Sequence, residues 1–215
     1  PARDFYIAHE VSHQWWGNDV FMDAMRDAWL TEGMADYSAI TYLEEGWGEE
    51  EARNAWLIDA KALFDYYAQG GRDHPLVPTD DSDMEPHIYY LKGAWVLRML
   101  EGVIGQAIRS YREAHHFEPA TTQDFINEAE TASGEDLTWF FNQWLYGTGV
   151  MSLAETHKTS GDDVELTITQ NNTWSDEPPQ YFEMPLQVRI EKGNKATEET
   201  VHLDAAENSF TLPRP

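Results

Sequence analysis

Two histidines four residues apart, His9 and His13 of the pentapeptide HEVSH, stand on one side of a helix if the surrounding FYIAHEVSHQWWG is helical. Phe5, Ala8, Val11, Ser12 and Trp15 recur at helical spacing and are expected to form a buried face beside them. Neutral imidazoles at i and i+4 can offer two nitrogens to zinc; such a site needs a third protein ligand and keeps a fourth position for water. A carboxylate from another helix would complete the set. Glu32, in DAWLTEGMADY 19 residues after His13, is the candidate. The same residues also read as two core-edge histidines satisfied by backbone and a surface glutamate near a helix start.

The elements that must position these groups follow from the apolar periods. Helical pattern continues through DAWLTEGMADYSAITYLEEG, where Trp29, Ala35 and Ile40 are expected to be buried, and through EEEARNAWLIDAKALFDYYAQGG, which closes on two glycines. RDHPLVPTDDSDMEP, rich in proline and acids, is expected to be loop. Helical pattern resumes in HIYYLKGAWVLRMLEGVIG, QAIRSYREAHHFE, TTQDFINEAETASG and EDLTWFFNQWLYGTG, with Thr121 and Asp124 spaced as an N-cap pair. After Gly149 the period falls to two: Val164, Leu166 and Ile168, then Leu186, Val188 and Ile190, then Val201 with Leu203 and Phe210 with Leu212, predict antiparallel strands. The expected class is therefore α+β, a mainly helical domain over 1–149 followed by a small antiparallel β-sandwich over 150–215.

Composition narrows the function classes. The formal charge of −25 is spread along the chain, with 27 acids to 9 bases before residue 150 and 12 to 5 after it, which disfavours nucleic acid and anionic membrane as partners. Only 5 of the 14 bases are lysine, and such a skin suits high ionic strength, where salt screens self-repulsion. The chain has no cysteine and hence neither disulfide framework nor thiolate metal site. No stretch approaches the length of a membrane span, and localisation is not legible.

HEVSHQWWGN, followed after 18 residues by Glu32 in WLTEGMADY, resembles the zinc aminopeptidase (gluzincin) family of aminopeptidase N and leukotriene A4 hydrolase. YLKGAWVLRML and FFNQWLYGTGVMSL resemble two further family segments, with departures at Thr31, Met34 and Met151 that remove no group the chemistry requires. The resemblance implies a thermolysin-like (zincin) helical subdomain, one Zn2+ held by His9, His13 and Glu32, Glu10 as general base and then acid, and Tyr90 as donor to the oxyanion, with removal of N-terminal residues from peptides as the activity. It also implies a β-rich N-terminal domain and a G-x-M-E-N segment upstream. Both are missing from this sequence, so it is expected to be a fragment that binds zinc but turns over little peptide, with a truncated sandwich. A thermolysin-like endopeptidase is the alternative within hydrolases, disfavoured by the Y-x-K-G block; a metal-binding homologue without activity is the other, disfavoured by retention of Glu10 and Tyr90. Asp36, one turn beyond Glu32, could orient a metal ligand but is expected to be solvated like most helix-surface acids; His87 could border the site but is expected to be a capping or surface histidine, and His115, His116, His157 and His202 carry no assignment.

Overall fold

The computed structural model describes residues 2–80, 84–100, 102–172 and 181–215. The chain divides into two compact units, Pro1–Gly147 and Thr148–Pro215. Part of the acidic run DDSDMEP, residues 81–83, lies outside the described residues.

In the first unit, helix α1 (Ala2–Ser12) leads through a turn and a 3-10 turn (Met25–Asp27) to α2 (Trp29–Trp47). Gly48, at φ +93°, turns the chain into α3 (Glu49–Ala68). An irregular segment then reaches a π-helical turn (Ile88–Lys92) that runs directly into α4 (Gly93–Met99). Helices α5 (Ile104–Ala114), α6 (Thr122–Ser133) and α7 (Thr138–Trp144) follow. Strand β1 (Phe21–Met22) pairs in parallel with β2 (Pro119–Ala120), tying the chain after α1 to the start of α6. Among the described residues no helix is long and apolar enough to cross a membrane.

Helix α2 is the central element, and its sequence explains why. Trp29, Leu30, Met34, Ala35, Ala39, Ile40 and Leu43 are all buried, so apolar groups cover most of its circumference and it packs on α1, α3, the π-turn and α4. Ile40 and Leu43 join Ala52, Ala55, Trp56 and Ala94 in one core cluster, with Phe5, Tyr37 and Trp95 against it. At its N-terminal end Trp29 meets Phe125 edge to face and donates from Nε1 to Thr122 Oγ1 at 2.9 Å. The start of α6 is fixed by the expected Thr121–Asp124 pair, present as a reciprocal capping box.

The second unit contains a three-stranded antiparallel sheet and a hairpin. The sheet has the order β3–β4–β7, from β3 (Leu153–Ser160), β4 (Asp163–Gln170) and β7 (Glu207–Pro213), and β5 (Met184–Lys192) pairs with β6 (Lys195–Leu203). Leu166, Ile168, Val201, Leu203 and Leu212 form its core, with Leu186, Val188, Ile190 and Phe210 packed on it, as the period-two pattern predicts. Strand β3 is the exception: its residues are exposed throughout, so it carries no alternation by which the sequence reading could have found it.

Helices α2 and α4 cross closely enough that a Cβ on Gly33 would lie 2.9 Å from the carbonyl carbon of Gly93 and 3.1 Å from the nitrogen of Ala94. Backbone cannot yield there as a flexible side chain would. Gly33→Ala should therefore destabilise the chain by about 1–3 kcal/mol, whereas Gly105→Ala, at a helical glycine with nothing within 4 Å, should stabilise it by about 0.5–1 kcal/mol. Urea unfolding of the two variants checks the sign of each.

Candidate metal centre

The close crossing at Gly33 places its neighbour Glu32 against the C-terminal end of α1. Nε2 of His9 and Nε2 of His13 lie 3.5 and 3.3 Å from Oε2 of Glu32, and one ligand atom from each of the three residues falls within 4.8 Å of the others. The rings are edge to face, with centroids 4.8 Å apart. The pair that the i, i+4 spacing predicts thus faces a common point with the carboxylate 19 positions on.

Each imidazole is held from behind. Nδ1 of His9 is 2.7 Å from Oδ1 of Asp36, and Nδ1 of His13 is 2.9 Å from the carbonyl of Trp16. A carbonyl only accepts, so Nδ1 of His13 is the donor in that bond and Nε2 is the nitrogen turned toward Glu32. Trp16 is in turn fixed through its Nε1, which donates to Ser38 Oγ at 3.0 Å. Asp36 corrects the sequence reading: it is buried and bound to His9 rather than solvated. Its partner lies 27 residues away, a distance no local pattern reports.

The apolar face of α1 also needs correction. Val11 and Trp15 are 51% and 44% exposed, and the buried side runs instead through His9, Ser12 and Trp16. Helix α1 stops at Ser12, so Trp15 is no longer on its stripe. Because α2 supplies Glu32, Asp36 and Ser38, polar side chains of α1 can turn inward while Val11 faces out.

Without a cation the centre is electrostatically incomplete. Burial works to lower the His9 imidazole, but the bonds and charges of Asp36 and Glu32 outweigh it and hold His9 up at about 9. Burial likewise works to raise Glu32, and His9, Tyr90 and His13 outweigh it, holding the carboxylate below its ordinary range. Oε2 of Glu32 is nevertheless buried with no hydrogen-bond partner. Two imidazole nitrogens and one carboxylate oxygen, converging on an orphaned oxygen and backed by acceptors on both Nδ1 atoms, fit the donor set of zinc.

Tyr90, on the π-turn, stacks its ring on His9 with centroids 5.8 Å apart and planes 15° apart. Burial first and the Glu32 carboxylate second push its phenol well above the ordinary range. Tyr89 packs on Tyr90, with ring centroids 5.0 Å apart. Glu10 is exposed, next to His9 on α1. His87 is exposed as expected, paired with Glu85 and stacked on Tyr66.

Asp59 is a buried group that sequence reasoning missed. Burial, then the charge of Asp36, raises its carboxyl to about 7, against a partial opposing effect of His9, and its Oδ2 has no hydrogen-bond partner. A carboxyl raised in the folded state penalises folding as pH rises from about 4 through 7, and the penalty stays constant above that. Asp59→Asn removes the ionisable group, so it should stabilise the metal-free chain by roughly 1–3 kcal/mol at pH 8 and leave it unchanged near pH 4. Denaturant titrations at the two pH values measure both.

A model of the Peptidase family M1 domain matches residues 4–144. Glutamyl aminopeptidase of Bos taurus is 33% identical over 156 residues, 66% of this chain and 16% of that protein. The structure of Legionella pneumophila aminopeptidase A in complex with aspartic acid superposes with a TM-score of 0.76 at 22% identity, over 97% of this chain and 24% of that one. An M1 zinc metallopeptidase from Deinococcus radiodurans, solved as an E323A mutant with a Tyr-Ser-Ala substrate, has a TM-score of 0.56 at 24% identity, over 69% of this chain and 34% of that one. The chain therefore spans only about a sixth to a third of the proteins it matches.

Proposed function

We propose, from the premise that the chain belongs to peptidase family M1, that it carries the metal-binding half of an aminopeptidase active site and hydrolyses N-terminal residues from peptides as part of a longer protein. The observation that supports this best is the convergence of His9 Nε2, His13 Nε2 and Glu32 Oε2, with Tyr90 stacked beside them. In this reading residues 1–149 are the helical peptidase lobe and residues 150–215 a β-sandwich domain. His9, His13 and Glu32 would hold one Zn2+. When bound, zinc supplies Lewis acidity, which polarises a carbonyl and makes water easier to deprotonate at neutral pH.

The rest falls to the chain's own side chains. Asp36 and the Trp16 carbonyl fix the two ring orientations, so the ligands need no reorganisation on binding. Glu10, beside His9 on the exposed side of α1, takes the proton from the attacking water. As the peptide C–N bond breaks, Glu10 returns that proton to the departing amine nitrogen. The attacked carbonyl oxygen gains negative charge meanwhile, and Tyr90 donates its hydroxyl hydrogen bond to it. A phenol held above its usual range stays protonated at neutral pH and can donate. The peptide's free amine would be held by parts of the longer protein, which this sequence does not include.

The roles separate by mutation in the full-length, zinc-loaded enzyme. Glu10→Gln should abolish turnover of an aminoacyl anilide while zinc content by mass spectrometry stays at one per chain, because a base is lost and not a ligand. Tyr90→Phe should lower kcat by roughly 10²- to 10³-fold with KM little changed, the size of one oxyanion donor. Near-normal turnover of Tyr90→Phe would place the donor elsewhere.

A further inference from the structure

The π-turn that carries Tyr90 is anchored at both ends by two adjacent residues of α3. At its C-terminal end Lys92 is buried and donates from Nζ to Asp73 Oδ2 at 2.9 Å and to the His74 carbonyl at 3.4 Å. The other oxygen of Asp73 accepts from the hydroxyl of Tyr67 at 2.7 Å. Tyr67, Asp73 and Lys92 are each less than a tenth exposed, so this ion pair is closed off from water, with both carboxylate oxygens used. At the N-terminal end His87 stacks on Tyr66, with centroids 4.7 Å apart and planes 13° apart. Tyr66 also donates to the Arg72 carbonyl at 3.0 Å. Loop residues 72–74 are thereby tied to α3 on one side and to the π-turn on the other.

The register of that turn decides which tyrosine meets His9. A π-turn contains one residue more than the α-helical turn it replaces, and short π segments persist where surrounding contacts hold them. Each residue of helix rotates side chains by about 100°. If the turn relaxed to α-helical winding against a fixed α4, Tyr90 would swing off His9 and its neighbour Tyr89 would change face as well. Gly93 fixes α4 against α2 through the close contact with Gly33. Lys92 is the last residue of the turn, immediately before that fixed point. A buried charge at that position cannot move away from Asp73 without losing its only buried counter-charge in the contacts described, which is far costlier than breaking a surface pair.

We propose that the buried Tyr67–Asp73–Lys92 network is a register lock for the π-turn: these are positioning residues that hold the Tyr90 hydroxyl at the reacting carbonyl, and none of them touches substrate. This inference rests on the donor role proposed for Tyr90 and extends it to residues outside the metal centre. Misplacement of a reacting group by about 1 Å costs on the order of 10²-fold in rate, so the lock should be visible in kcat.

The test uses the full-length, zinc-loaded enzyme and an aminoacyl anilide. Tyr67→Phe removes one hydroxyl and preserves packing; Asp73→Asn/Lys92→Met removes both charges together, so no buried ion is stranded. Expected are falls in kcat of roughly 10-fold and 10²-fold respectively, with KM within about threefold of the parent. Adding either change to Tyr90→Phe should lower kcat no further, because the donor they position is already gone. Hydrogen exchange of the amides in residues 88–92 should quicken in the double variant while that of α6 stays unchanged, a readout independent of turnover. Parental kcat in both variants, with Tyr90→Phe impaired, would overturn the lock and leave the donor role standing. So would kcat losses that multiply with Tyr90→Phe, or unchanged exchange in 88–92. Parental kcat in Tyr90→Phe itself would overturn the donor role, and the lock with it.

Discussion

His9, His13 and Glu32 turn two imidazole nitrogens and one carboxylate oxygen toward a common point that could hold a cation, and the packing of α1 on α2 is what brings them there. Nε2 of His9, Nε2 of His13 and Oε2 of Glu32 occupy one pocket, where the carboxylate oxygen is buried without a hydrogen bond. Left to itself the pocket draws a proton onto His9, whose imidazole is held up at about 9 by Asp36 and Glu32 despite burial. A divalent cation would take the place of that proton and answer all three donors at once.

Helix α2, central because apolar groups cover most of its circumference, also does most of the positioning. One helix supplies Glu32 to the pocket, Asp36 to the back of His9, and Ser38 to the tryptophan whose carbonyl orients His13. These positions follow one another along a helix that is otherwise apolar on most sides, so the ligand geometry is built into a core element rather than a loop. Gly33 then lets α4 approach, and α4 brings the π-turn and Tyr90 to the ring of His9. The backbone contact of Gly33 with Gly93, next to Glu32, and the bonds behind the two imidazoles hold the arrangement in place.

Where the sequence was legible, a local period or spacing carried the information. Burial of Trp29, Ala35 and Ile40 follows from the helical period of α2, the cap at Thr121 from its partner three residues on, and strands β4 to β7 from strict alternation. Spacing brought His9 and His13 to notice with Glu32 as a candidate, the family motifs strengthened Glu32 and added Tyr90, and the fold brings the four close to one another. What was not legible depends on tertiary partners. Asp36 reads as a solvated acid until His9 is placed beside it, and Asp59 until α3 is laid against α2. Val11 and Trp15 read as core until α1 is seen to end at Ser12 with a polar inward side. Strand β3 has no apolar rhythm because it is exposed throughout, and a one-residue π insertion at 88–92 shifts a helical period too little to be read.

X-ray absorption at the zinc edge of the zinc-loaded protein tests the central claim most directly, because it reads the identity and distance of the donors at the metal. The account predicts two imidazole nitrogens and carboxylate oxygen at roughly 2.0–2.2 Å, with the remaining position filled by oxygen from solvent, and loss of one imidazole's outer-ring scattering in His13→Ala. A spectrum without imidazole scattering, or one unchanged in His13→Ala, would contradict it.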